Sequence, residues 1–392
     1  MKNVLKDLKV AVIGGGPGGL TLARLLQIAK VNVVVYERDK DKSVRQQGAT
    51  LDLHEGSGLR ALEKGGLMDE FKKLYRPGAD KMRITDKNAT ILMDDHLNAS
   101  EENFGDESFR PEIDRGPLRD MLIDSLNEGT IKWNSQFREL KKQGNGWNIV
   151  LTNGQTDYAD IVIAADGANS KLRKYITDIE PIYSGITIVE GNVYNAAKNA
   201  PKLWDLVNGG KVMSFEDEKT VILSAKGEGS LSFYTGTKEK EDWAKESGID
   251  FTDRQQLLNW FKQRYPGWSE VWYELFASDD SYFIPRPQYH YQPGQSWQTL
   301  PNITMIGDAA HRMPPYAGEG VNMAMQDALE LYEALCEMNF ENVRDAFAFF
   351  ETKMLQRASE ITRDTLENTE RMHSDGSLEL MLGFFGGDQY LS

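Results

Sequence analysis

The first 37 residues constrain the fold more than any other stretch. Lys9-Val-Ala-Val-Ile13 is a short apolar strand, and Gly14-Gly15-Gly16-Pro17-Gly18-Gly19 follows it at once. A helical run from Leu20 to Ala29 and a second strand from Val31 to Tyr36 come next, closed by Glu37. Strand, glycine turn, helix, strand and acid in that order open a doubly wound α/β nucleotide fold. Each glycine has its own task. Gly14 makes the tight turn, Gly16 lets a pyrophosphate approach backbone, and Gly19 lets the helix lie close on the strand. Glu37 is placed to accept from ribose hydroxyls, and Arg38 to cover an adenine or reach a phosphate. The motif alone does not separate FAD from NAD.

A second stretch, Ile303 to Asn322, adds a different constraint. Ile303 to Ile306 is an apolar strand, and Gly307-Asp308 breaks it. Asp308 therefore sits at the strand's carboxyl end, the edge where open α/β sheets bind ligands. Pro314, Pro315, Gly318 and Gly320 keep the next segment irregular, and a helix resumes from about Val321. Its first turn offers free N–H groups and a positive dipole end to an anion. The N1–C2=O edge of a reduced flavin is such an anion. The run Asp160-Ile-Val-Ile-Ala-Ala-Asp-Gly167 repeats the device, with Asp166 at the strand end and Ser170 and Arg173 expected to open a helix. Three strand-end acids, Glu37, Asp166 and Asp308, point to one ligand edge. Arg115 precedes a helix begun by Pro117, where a guanidinium can hold a diphosphate or a ribityl chain.

The remainder bounds the function by exclusion. A net charge of −15 argues against a nucleic acid or an anionic membrane as partner. The single cysteine, Cys336, excludes an internal disulfide and a multi-cysteine metal site, and no metal is expected. No apolar run approaches the ~18 residues of a membrane span, and the N-terminus lacks a signal peptide's apolar stretch. A soluble, cytoplasmic monomer is expected. From about Ile186 the texture becomes alternating, as in a half-buried meander. A helix from Arg254 to Tyr265 follows, beside Trp243, Trp260, Trp268 and Trp272. Glu341 to Asp375 holds no glycine or proline and reads as one long helix.

With Gly14-x-Gly16-x-x-Gly19, Asp166-Gly167 and Gly307-Asp308 in that order, the whole chain resembles the group A FAD-dependent monooxygenases. Within them it is most similar to the Tet(X)-type tetracycline-inactivating enzymes. The shared wording includes Tyr36-Glu-Arg-Asp39, Thr50-Leu-Asp-Leu-His54, Pro111-Glu-Ile113 with Arg115, Ile303 to His311, Pro314-Pro315 and Gly320-Val-Asn322. The resemblance implies an α/β fold with an FAD-binding doubly wound domain from residues 1–72, 101–184 and 279–337. An antiparallel-sheet substrate domain from 73–100 and 185–278 would be interleaved with it. A helix over 338–375 would bridge the two, and 376–392 would be a flexible tail.

Glu37, Arg38, Asp52, Arg115 and Asp308 would bind FAD, together with the glycine turn, Asp166, Gly318, Gly320, Val321 and Asn322. Arg45 would meet NADPH. The flavin would be reduced by NADPH and would form a C4a-hydroperoxide with O2, so that a small aromatic or polycyclic molecule is hydroxylated without a protein acid–base dyad. Pro315 and Gly318 would flank the flavin on the substrate side. Where the tetracycline enzymes carry Gln, Arg and His as substrate contacts, this chain has Glu190, Lys211 and Ser232. These exchanges add a negative charge, lose a bidentate fork and lose a ring. Tetracycline inactivation is therefore one implied activity. The alternatives are a flavoprotein of the same fold that dehydrogenates or reduces without oxygenating, and a non-catalytic ligand-sequestering flavoprotein.

Overall fold

The structure, a computed structural model, describes residues 4–44, 49–97, 103–106 and 109–386. Strand β1 (Lys9–Ile13), helix α1 (Pro17–Ile28) and strand β2 (Asn32–Tyr36) form the opening unit. Val10, Ala11, Val12 and Ile13 are all buried, because this strand is covered on both faces and so reads as a continuous apolar run. The hairpin β3 (Met82–Thr85) and β4 (Ile91–Asp94) follows, then helix α2 (Arg115–Asp124). Arg115, expected ahead of that helix, is its first residue, with Asp114 at the N-cap. Strand β5 (Ile161–Ala164) leads to β6 (Ile182–Val193), β7 (Lys211–Glu216), β8 (Lys219–Ala225) and β9 (Leu231–Lys238). Helix α3 (Arg254–Arg264), strands β10 (Phe283–His290) and β11 (Ile303–Met305), and helices α4 (Gly320–Tyr332), α5 (Val343–Met372) and α6 (Ser377–Gly386) complete the labelled elements.

Two sheets position the site. The first is parallel, in the order β11–β5–β1–β2, with Ile131–Lys132 at the far edge. The second has seven strands in the order β10–β6–β9–β8–β7–β3–β4. Its neighbours are antiparallel except β7 and β3, which run parallel with Met213 opposite Ile84. The expected meander holds for β7–β8–β9. Strand β6 instead lies beyond β9, after which helical turns between Ala196 and Val207 carry the chain across to β7.

Alternation divides this second sheet. Val189, Val212, Val221, Leu223, Leu231 and Phe233 face a core built with Leu257, Trp260, Phe261 and Trp272. The opposite face carries Ile188, Lys211, Met213, Ile222, Ser224 and Tyr234, which line a cavity against the parallel sheet. The α/β class and the interleaved sheets inferred from the sequence are those found.

Helix α5, roughly 45 Å long at 1.5 Å per residue, reaches from one core to another. Phe347, Phe350 and Met354 pack into the parallel sheet's core, and Met372 into a cluster with Met82, Ile84, Phe215 and Tyr316. Two expectations fail locally. The segment expected as a flexible tail is helical over Ser377–Gly386, because Leu378, Met381 and Leu382 recur on one face and pack onto that same cluster. Residues 387–392 lie outside the described residues. The helix expected to start at Ser170 is a short turn, Arg173–Tyr175. The Arg173 side chain instead turns inward and donates to the Ala309 and Ala310 carbonyls at 3.0 and 2.9 Å. Among the described residues no helix is long and apolar enough to cross a membrane.

Candidate active site

The carboxyl ends of β1, β5 and β11 open on one cavity of about 600 Å³, whose far wall is the second sheet. At the end of β1, Gly14 has φ +115°, and a side chain there would strike the Ala165 carbonyl. A Cβ on Gly19 would fall on the Gly14 carbonyl oxygen, so both positions need glycine for protein packing. Gly16 differs. It caps α1, lines the cavity, and a Cβ on it would meet nothing. Gly320, at the start of α4, has the same open space. Glu37 is buried at the end of β2, where Oε2 accepts from Gly15 N at 2.6 Å and Oε1 from Asp39 N at 2.9 Å.

Not every residue assigned from the sequence reaches this cavity. Gly16, Gly19, Asp52, Arg115, Asp308, Pro315, Gly318, Gly320, Val321 and Lys211 line it. Arg38 is solvent-exposed and off the lining. Arg45 lies outside the described residues. Asp166 stands between two lining residues, Ala165 and Gly167, and accepts from Lys171 N at 2.8 Å. Asn322 is fully buried and spends its amide on the protein. It accepts from His54 N at 2.9 Å and donates to the Asp52 carbonyl at 2.9 Å, stapling that segment to α4.

Asp308 opens the short helix Asp308–His311 after Gly307 at φ +60°. Its surface is exposed to the cavity, yet the carboxylate lies deep beneath the protein surface. Burial pushes its carboxyl up, against the pull of His311, Arg312 and Arg115. The turn is held from behind by Asp327. That carboxylate accepts from Gly307 N at 2.8 Å, His311 Nε2 at 2.6 Å and Arg357 Nη2 at 2.6 Å. Burial alone would raise the Asp327 carboxyl, but His311, Arg357 and the Gly307 amide hold it below its usual range. His311 and Asp327 belong to the same sequence pattern as Gly307-Asp308, but sequence reading gave neither a role.

The substrate-side assignments separate. Lys211 Nζ is paired with Glu112, a buried residue on the short strand Glu112–Ile113. Burial alone would lower the Lys211 ammonium, but Glu112 and Asp52 more than offset it and raise its pKa. One ammonium thus serves two carboxyls. Burial pushes Glu112 up, while Asp52, despite burial, is held below its usual range by His54 and Lys211. His54 Nε2 lies 3.0 Å from Asp52 Oδ2, and Nδ1 lies 3.4 Å from Glu319 Oε1. Glu190 does not reach the cavity lining. It is buried on β6, with Arg286 on one oxygen and Tyr282 Oη donating to the other at 3.3 Å. Ser232 is buried on β9 opposite Ser224, and its Oγ has no protein partner.

A glycine turn and a strand-end acid facing an antiparallel sheet across one cavity define a flavoprotein of the aromatic-hydroxylase type. The chain belongs to the FAD-binding domain family, whose model matches residues 7–257 and 295–365. Monooxygenase penA of Penicillium thymicola is 27% identical over 433 residues, covering 95% of this chain and 97% of that relative. Among solved structures, HpxO of Klebsiella pneumoniae, complexed with FAD and uric acid, matches with a TM-score of 0.77 at 20% identity. The match covers 97% of this chain and 92% of HpxO. Tetracycline destructase Tet(51) matches with a TM-score of 0.72 at 17% identity, over 100% of this chain and 96% of its own. At these identities the two structures show a shared fold. The resemblance read from the sequence therefore stands at the level of the group A flavin monooxygenases, and FAD is the cofactor.

The residues present fit that cofactor. Gly16 and Gly320 leave open space at two helix N-termini, which suits anionic or polar oxygens. The buried Arg115 Nε at the cavity edge has no protein partner, and Asp308 presents an acceptor there.

Proposed function

We propose that the protein is an NAD(P)H-using monooxygenase that hydroxylates an aromatic or polycyclic small molecule. The observation that carries this reading is the continuity of one cavity. It runs from the glycine turn and the Asp308 edge to the inner face of the seven-stranded sheet, so cofactor and substrate share a chamber. The flavin supplies the redox and oxygen-activating chemistry when bound. Asp308, Arg115 and the N-termini of α1 and α4 hold it. Pro315 and Gly318 would border its substrate side, where the buried Tyr316 and Met372 add apolar surface that would limit water.

Tetracycline is one candidate, supported by the fold shared with Tet(51). Lys211 lines the inner face and would contact that substrate, whereas Ser232 and Glu190 lie off the lining and Glu190 is held by Arg286. The deciding experiment follows NADPH and NADH oxidation, O2 uptake and peroxide release by the FAD-loaded protein, with and without tetracycline and simpler ring compounds. A stimulated rate with a product heavier by one oxygen atom is the expected result. Oxidation of the nicotinamide without oxygen transfer to any compound would favour the oxidase or reductase alternative.

A further inference from the structure

Acids outnumber cations among the charged groups of the cavity. The described residues lining the cavity include four carboxylates, Asp52, Asp80, Asp95 and Asp308, against three cations, Arg110, Arg115 and Lys211. Glu112 adds a fifth acid directly behind Lys211. The cation on the inner face is paired, and the other two lie at the rim and on the cofactor side. Lys211 is held by Glu112 and sits in the field of Asp52 and Asp80. Arg115 lies in the field of Asp308 on the cofactor side. Arg110 is exposed at the rim and interacts with Glu319. On the inner face, Arg286 is neutralised by Glu190. A carboxylate brought to Lys211 would meet an ammonium already shared by two acids, and bound FAD would add further negative charge.

The same face offers uncharged partners. Ser224 lines the cavity; Ser232, its cross-strand neighbour on the same face, is not itself on the lining but has a buried Oγ without a protein partner. Around them stand Met82, Ile188, Met213, Ile222 and Tyr234, apolar surface broad enough for fused rings. A buried hydroxyl without a partner costs free energy until a ligand's carbonyl, hydroxyl or amide meets it.

We propose that the substrate is an uncharged ring compound carrying a carbonyl, hydroxyl or amide group, and that the Glu112–Lys211 pair screens out aromatic carboxylates. This rests on the substrate cavity assigned above. The Glu112–Lys211 pair acts as a specificity device because removing Glu112 would leave Lys211 free to bind an anion.

The test uses two isosteric probes, 2-naphthamide and 2-naphthoate, titrated at neutral pH into the FAD-loaded protein. Binding is read from the perturbation of the flavin spectrum. The amide is expected to bind at least about tenfold more tightly than the carboxylate, and Glu112→Gln to raise naphthoate affinity by about tenfold while changing naphthamide little. Lys211→Met should weaken naphthoate further. Equal or tighter binding of naphthoate by the unmodified protein would overturn the proposal, as would failure of naphthamide to bind. A Glu112→Gln protein that did not fold would leave the unmodified protein's preference to decide. These readings need no turnover. Loss of the monooxygenase reading, seen as absent oxygen transfer, is therefore distinguishable from loss of this one.

Discussion

Asp308 and Asp327 divide one task between them. Asp308 faces the cavity and is available to a ligand, whereas Asp327 is fully enclosed and spends its carboxylate on Gly307, His311 and Arg357. Their substitutions should therefore fail differently. Asp308→Ala should weaken FAD retention by about tenfold or more, the worth of a hydrogen bond to a charged acceptor, with little change in stability of the FAD-free protein. Titration of released flavin by fluorescence checks it, and unchanged affinity would remove Asp308 from the cofactor site. Asp327→Ala should lower the stability of the FAD-free protein itself by about 3 kcal/mol, because Arg357 and the Gly307 amide lose a buried acceptor. Denaturant unfolding measures that loss, and a midpoint within error of the unmodified protein would refute it.

The long helix α5 ends in a residue that makes its own test at the scale of the element. His373 follows the last turn and is fully buried, with Nδ1 donating to the Thr369 carbonyl at 2.8 Å. Its Nε2 lies 3.4 Å from Tyr316 Oη, on the loop that borders the cavity. Burial brings the His373 imidazole down from 6.5 to about 4. The unfolded chain therefore binds a proton that the folded one refuses between those values. The stabilisation is fully present above the unfolded pKa and is lost as pH falls from 6.5 toward 4, by about 3 kcal/mol from this group alone. Buried acids such as Asp308 and Glu112, whose carboxyls are pushed up, contribute with the opposite sign. The measurement is accordingly a difference. Denaturant unfolding of the unmodified protein and His373→Phe between pH 7 and pH 5 should converge as pH falls. Parallel curves would show that His373 titrates normally.

Across the whole molecule, FAD is expected to couple the two cores. The cavity draws on segments from the glycine turn, Asp52, Arg115, the Asp308 edge and the inner face of the second sheet. The tryptophans Trp260, Trp268 and Trp272 lie on the far side of that sheet, away from the cofactor edge. FAD at a hundred times its dissociation constant should add about 2.7 kcal/mol. Thermal melts followed by circular dichroism and by tryptophan fluorescence should move upward together. Trp147 and Trp297 pack in the parallel sheet's core, so fluorescence reports both cores. A fluorescence melt split into one part moved by FAD and one left in place would mean that the two cores unfold independently.

Local signals determined a large part of this protein. The strand–glycine–helix–strand opening and the acids Glu37, Asp166 and Asp308 are written in local sequence, and each acid lies at a strand's carboxyl end, though of the three only Asp308 lines the cavity. The long helix was equally legible, because an unbroken amphipathic stripe is a local property. The tertiary structure decided what depends on distant partners. The Glu112–Lys211 pair joins residues 99 apart, and no spacing in the chain announces it. Glu190 was assigned to a substrate, yet Arg286 on the neighbouring strand claims it. Asn322 holds protein backbone rather than facing the cavity, and the closing glycine-rich segment became a helix because a hydrophobic cluster was there to receive it. Backbone conformation and periodicity are set by near neighbours in sequence. The charge and exposure of a side chain are set by whatever folding brings against it.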